Sequence, residues 1–111
     1  MNFRDATEKA LQFRNERDWS QFHNPKDLAA SICIEAAELL EVFQWSGTDL
    51  EVKQKFDQAK EELADVLIYC IYMADRLGVD PAEIISDKID SNNKKYPKEK
   101  ARGTSRKYTE L

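Results

Sequence analysis

Apolar residues recur along this chain at spacings of three and four rather than two, so the elements they predict are helices. Phe3, Ala6, Ala10 and Phe13 mark a first amphipathic helix ending near Arg17. The stretch Asp18-Trp-Ser-Gln-Phe-His-Asn-Pro25 follows, and its Asn-Pro pair requires extended or turn geometry. A second helix begins around Lys26 or Asp27 and runs to about Trp45, where Ser46-Gly47 breaks it. Thr48-Asp-Leu-Glu51 offers a capping box for a third helix, which ends at Gly78. Asp80-Pro81-Ala-Glu83 is the next start signal, with Asp as cap and Pro in the first turn. A fourth helix therefore spans Pro81 to Lys95, and Pro97 stops it. From Lys98 to Leu111 the apolar period is lost, so residues 98–111 read as a basic C-terminal tail on a helical domain of residues 1–97.

Helices joined by short connections fold back on one another, and the architecture expected is all-α, a four-helix antiparallel bundle. Val66 to Ala74 strains that picture, because apolar residues there occur on all sides of the third helix. A helix greasy all round in so small a chain needs partners beyond its own bundle, which predicts a homo-oligomer formed through this helix.

Composition narrows the functional classes. At 111 residues one domain is the simplest expectation, and 3 Gly, 3 Pro and 34% charged residues suit helices with charged outer faces. The net charge of -4 conceals a basic end, where Lys94, Lys95, Lys98, Lys100, Arg102, Arg106 and Lys107 crowd together. An acidic body argues against a nucleic-acid polymer as partner. Cys33 and Cys70 lack a CxxC spacing and are expected to be buried thiols in a reducing compartment. The longest uncharged run falls well short of a membrane span, so a cytoplasmic protein with no membrane partner is expected.

The candidate chemistry lies in carboxylates beside the apolar faces. On the second helix Leu28, Ile32, Ala36, Leu39 and Phe43 share one arc; Glu35 stands about 20° outside it and Glu38 about 80° from Leu28 on the same side. On the third, Leu63, Leu67, Cys70 and Ala74 form the expected core stripe, while Glu62, Asp65, Tyr69 and Tyr72 form an adjacent one. Antiparallel packing would bring up to four carboxylates to one volume. A carboxylate half-buried without a partner costs several kcal/mol, so such a cluster calls for a cation, and an all-oxygen set suits Mg²⁺ or Mn²⁺. The plain alternative is a solvated acidic face, the usual meaning of Glu-x-x-Glu. A di-iron centre is excluded by the lack of Glu-x-x-His pairs, His23 being the only histidine.

Glu35-Ala-Ala-Glu38 and Glu62-Leu-Ala-Asp65 resemble the signature of the all-α nucleoside triphosphate pyrophosphohydrolases, the MazG-like superfamily. Arg17-Asp-Trp-Ser-Gln-Phe-His23, Glu38-Leu-Leu-Glu-Val-Phe-Gln-Trp45, Glu61-Glu-Leu-Ala-Asp-Val-Leu-Ile-Tyr69 and Ser105-Arg-Lys-Tyr-Thr-Glu-Leu111 are similar to segments of its dCTP pyrophosphatase branch. The resemblance implies Mg²⁺-dependent hydrolysis of a deoxynucleoside triphosphate, dCTP or a 5-modified dCTP, to the monophosphate and pyrophosphate, clearing the nucleotide pool. It assigns Glu35, Glu38, Glu62 and Asp65 to the metal and to catalysis, and Trp19, Ser20, Gln21, Phe22, His23, Trp45 and Tyr69 to the base and sugar pocket. Lys88 and Asn92 resemble positions that reach phosphate and sugar oxygens, and Arg106, Lys107 and Tyr108 belong to the shared tail. It also implies an oligomer, commonly a tetramer, with sites at subunit contacts. Ala10 departs from the histidine of related animal enzymes, and the connection from Trp45 to Glu62 is shorter than theirs. The alternatives are a dUTP-directed or broad-range diphosphohydrolase and a non-catalytic helical interaction module.

Overall fold

A computed structural model describes residues 1–111. It is all helical: α1 (Phe3–Glu16), α2 (Pro25–Glu41), α3 (Phe56–Leu77), α4 (Pro81–Lys95) and the short α5 (Lys98–Ala101), with single 3-10 turns at Trp19–Phe22, Lys53–Lys55 and Tyr108–Glu110. The chain divides into two compact units, Met1–Gly78 and Val79–Leu111.

Local chemistry accounts for the helix ends. Asn2 caps α1 by accepting the Asp5 N–H at 2.9 Å, and Asn24 caps α2 by accepting the Asp27 N–H at 2.8 Å. The Asn-Pro pair is thus cap and first residue, and α2 begins slightly earlier than expected. It also ends earlier, at Glu41 rather than Trp45, because Trp45 (φ 66°) and Gly47 (φ 62°) turn the chain into the left-handed region. The box at Thr48–Glu51 does not start α3. Asp49 instead accepts the Val52 N–H at 3.0 Å, Val52 sits at φ 44°, and the helix begins only at Phe56. A β-branched residue is strained there, and Val52 is held by burial. Gly78 closes α3 at φ 71°, as expected.

In the first unit α2 lies antiparallel to α3. Leu28 near the start of α2 meets Ile71 and Tyr72 late in α3, while Glu35 further along meets Glu62 and Asp65 early in it. α1 runs the other way along α3: the Tyr72 hydroxyl donates to the Ala10 carbonyl at 3.0 Å, and Arg14 Nη1 donates to Asp75 Oδ2 at 2.8 Å. Ala10, Leu28, Ile71 and Tyr72 form the core, with Leu11, Ile68, Tyr69 and Met73 packed around it. Leu28 is its most enclosed side chain at 1% exposed, a burial worth about 2 kcal/mol.

The expected core stripe of the third helix is the wrong one. Leu63 and Leu67 are about half exposed and Cys70 is exposed; only Ala74 of that stripe is buried. The neighbouring stripe of acids and phenols faces the other helices, because Tyr72 with its hydroxyl satisfied makes a better core residue than its polarity suggests. The thiols of Cys33 and Cys70 are exposed in the single chain, not buried as expected.

In the second unit Asp80 caps α4 by accepting the Ala82 N–H at 3.0 Å. The tail has more structure than its polarity suggests. Tyr108 stacks edge-on against Tyr96 at 5.9 Å, with the Lys95 ammonium 5.1 Å from its ring centre.

Candidate active site

The antiparallel register of α2 and α3 delivers the carboxylates to one place. Oxygens of Glu35, Glu62 and Asp65 lie within 4.8 Å of one another. Glu38, one turn beyond Glu35, is close enough to raise the proton affinity of both Glu35 and Glu62. Each of those two carboxyls is pushed up from its ordinary value first by loss of hydration, then by hydrogen-bond approach and charge from Glu38, and then by the charge of the other acids. One oxygen of Glu35 and one of Glu62 are shielded from solvent and meet no hydrogen-bond donor. Shielded acceptors without donors are what a hard cation with oxygen ligands would satisfy, so the residues fit Mg²⁺ or Mn²⁺.

Glu35 and Asp65 also open onto a cavity of about 500 Å³. Its walls come from α1 (Ala6, Lys9, Ala10, Phe13), from the 3-10 turn through Trp19, and from α3 through Ile68, Tyr69 and Tyr72. Trp19 meets Phe13 edge to face at 5.7 Å. Acids at one end and aromatic walls beyond them suit a ligand with an anionic end carried by a metal and a flat apolar body.

The other expected site residues fall in several places. Ser20 and His23 line a separate, smaller polar pocket of about 190 Å³ with Arg14, Asp75 and Arg76. The His23 ring packs on Tyr72 at 5.1 Å, and burial, then the Arg14 charge, lower its pKa below the usual histidine value. Gln21 bonds back to Asp18 at 3.0 Å, Phe22 is exposed, and Trp45 is 92% exposed in the single chain. Lys88 and Asn92 stand one turn apart on α4 in the second unit. Sequence reasoning missed the wall supplied by α1 and the part played by Tyr72. The signal for both was available: Ala6 and Ala10 put small residues beside Phe13 on one face of α1, leaving room next to it, and Tyr72 follows Asp65 and Tyr69 in the same stripe.

This all-α fold with an acid cluster between two antiparallel helices is that of a known class. A model of the MazG-like family matches residues 30–111, and the chain belongs to that family. Over 105 residues it is 43% identical to dCTP pyrophosphatase 1 of Homo sapiens, a match covering 90% of this chain and 62% of that protein. The same enzyme of Rattus norvegicus is 42% identical over 106 residues. The chain spans 62% of the length of these curated relatives. A pyrophosphatase from Archaeoglobus fulgidus superposes with a TM-score of 0.78 at 41% identity, covering 85% of this chain and 91% of the other.

Proposed function

We propose that this protein hydrolyses dCTP, or dCTP modified at the 5 position, to the monophosphate and pyrophosphate, and so removes unwanted nucleotides from the cytoplasmic pool. The observation that carries this reading is the pair of shielded, donorless oxygens on Glu35 and Glu62, in a cluster whose Glu35 and Asp65 also line an aromatic-walled cavity. Similarity to dCTP pyrophosphatase 1 supports the choice of base.

Glu35, Glu38, Glu62 and Asp65 would hold Mg²⁺, with Mn²⁺ as the other cation of suitable chemistry. Bound there, the cation supplies charge neutralisation of the triphosphate and makes the α-phosphorus more open to attack. A carboxylate oxygen of the cluster orients water and accepts its proton; water adds to the α-phosphorus as the bond to pyrophosphate breaks. Trp19 and Tyr69, which line the cavity, flank the base in this reading. Residues 1–97 form the catalytic domain in this reading.

The working molecule is a homo-oligomer, a tetramer, with its sites at subunit contacts. What supports this is the bare apolar stripe Leu63, Leu67, Cys70 and Leu77 on α3 together with the exposed Trp45. Leu67→Asp is expected to reduce the mass measured by light scattering to that of a monomer; an unchanged mass would remove α3 from the interface.

The function is tested by pyrophosphate release from a panel of canonical, methylated and oxidised dNTPs with Mg²⁺, wild type beside Glu38→Gln. Release from dCTP that falls at least about 100-fold in the variant is expected. Release that survives Glu38→Gln at saturating Mg²⁺ would sink the metal assignment.

A further inference from the structure

We infer that Tyr72 sets the depth of the cavity and thereby selects a one-ring base, a role that rests on the proposed function. Tyr72 is 3% exposed yet lines the cavity, so its ring forms a wall that solvent reaches only from within. Its position is fixed from four sides. The hydroxyl is tied to the Ala10 carbonyl at 3.0 Å; His23 lies 5.1 Å away, tilted by 32°; Tyr69 meets it edge-on at 5.9 Å; and the Arg14 guanidinium stands 5.7 Å from the ring centre. A ring held this way cannot swing aside for a larger ligand without breaking a buried hydrogen bond between α1 and α3.

Distance along α3 then defines what fits. Asp65 and Tyr72 are seven residues apart, about 10 Å along the helix. With the phosphates held at Asp65 and Glu35, the sugar and base extend towards Tyr72, and the fused second ring of a purine runs into it. Ala6 and Ala10, the small residues of the α1 wall, give the base its width but not its depth.

The test is kcat/KM for all four dNTPs with Mg²⁺ in wild type, Tyr72→Phe, Tyr72→Ala and Ala6→Leu. Tyr72→Phe keeps the ring but loses the hydrogen bond that ties it to Ala10, and is expected to weaken the pyrimidine preference less than Tyr72→Ala. Tyr72→Ala deepens the cavity and should raise purine over pyrimidine kcat/KM by about tenfold or more, through KM, within the range a pocket wall controls. Ala6→Leu narrows the same cavity from a half-buried position that the core does not use, and should raise KM for dCTP while sparing kcat. Equal losses for all four substrates in Tyr72→Ala would overturn the inference. So would an unchanged dCTP KM in Ala6→Leu, a readout that stands even where Tyr72→Ala does not fold. Wild type inactive on every dNTP would overturn the proposed function itself, and this inference with it.

Discussion

Arg14 and the Glu35–Glu62 pair are charges drawn partly out of water on the same helical framework, and they are resolved in opposite ways. Arg14 is only 8% exposed, and the protein itself supplies its partners: Asp75 at 2.8 Å, Asn15 at 3.0 Å and the Tyr72 ring. Glu35 and Glu62 face other acids, keep an oxygen each without a donor, and hold their protons more tightly as a result. One arrangement is complete within the chain and the other is not. A buried charge that is satisfied internally serves the fold, whereas one left unsatisfied marks the place where a ligand belongs.

The comparison breaks first at Asp65. Asp65→Asn keeps the shape and removes one charge of the cluster, so it should lower pyrophosphate release at least about 100-fold, as loss of a charge partner at the reacting centre does. Its melting temperature without metal should not fall, because the substitution relieves repulsion. A variant that is active but unstable would reverse the assignment of the two charges. Arg14→Met should show the mirror image. It leaves Asp75 without its cation and unfolds more easily by about 2 kcal/mol in urea, with half of the Asp75 side chain still open to water moderating the loss. Its kcat should change by less than about threefold, a shift below that of a lost catalytic contact.

Much of this was legible in the chain. Four long helices, their order, the Asp80 and Gly78 boundaries and the approach of Glu35 to Glu62 and Asp65 all follow from spacing and capping chemistry. The face of α3 did not follow. Leu63, Leu67 and Cys70 have the composition of a core and Tyr72 does not, yet Tyr72 is buried because the Ala10 carbonyl accepts its hydroxyl, a contact between residues 62 positions apart. Periodicity ranks faces by hydrophobicity alone and cannot see such a partner. The aromatic cavity was half legible for a related reason: Trp19 and Tyr69 announce themselves, while Ala6 and Ala10 contribute by being small.

The finest probe of the comparison is pH, because only the carboxylate cluster should respond to metal. Glu35 and Glu62 have folded-state proton affinities raised above the ordinary value of 4.5, so between 4.5 and those raised values the unfolded chain has released protons that the folded chain still binds. Their contribution is therefore absent below that window and turns increasingly destabilising as pH rises through it, when the folded chain must carry both repelling charges. Mg²⁺ binds the ionised cluster and offsets this loss, adding about 1.4 kcal/mol at tenfold excess over its Kd. The gap in melting temperature between Mg²⁺ and EDTA should accordingly be near zero at pH 4.5 and widen to a few degrees by pH 7. Arg14→Met should melt lower throughout while keeping the same widening. A gap that stays flat with pH, or one that Glu35→Gln leaves unchanged, would mean that the cluster is a solvated acidic face after all.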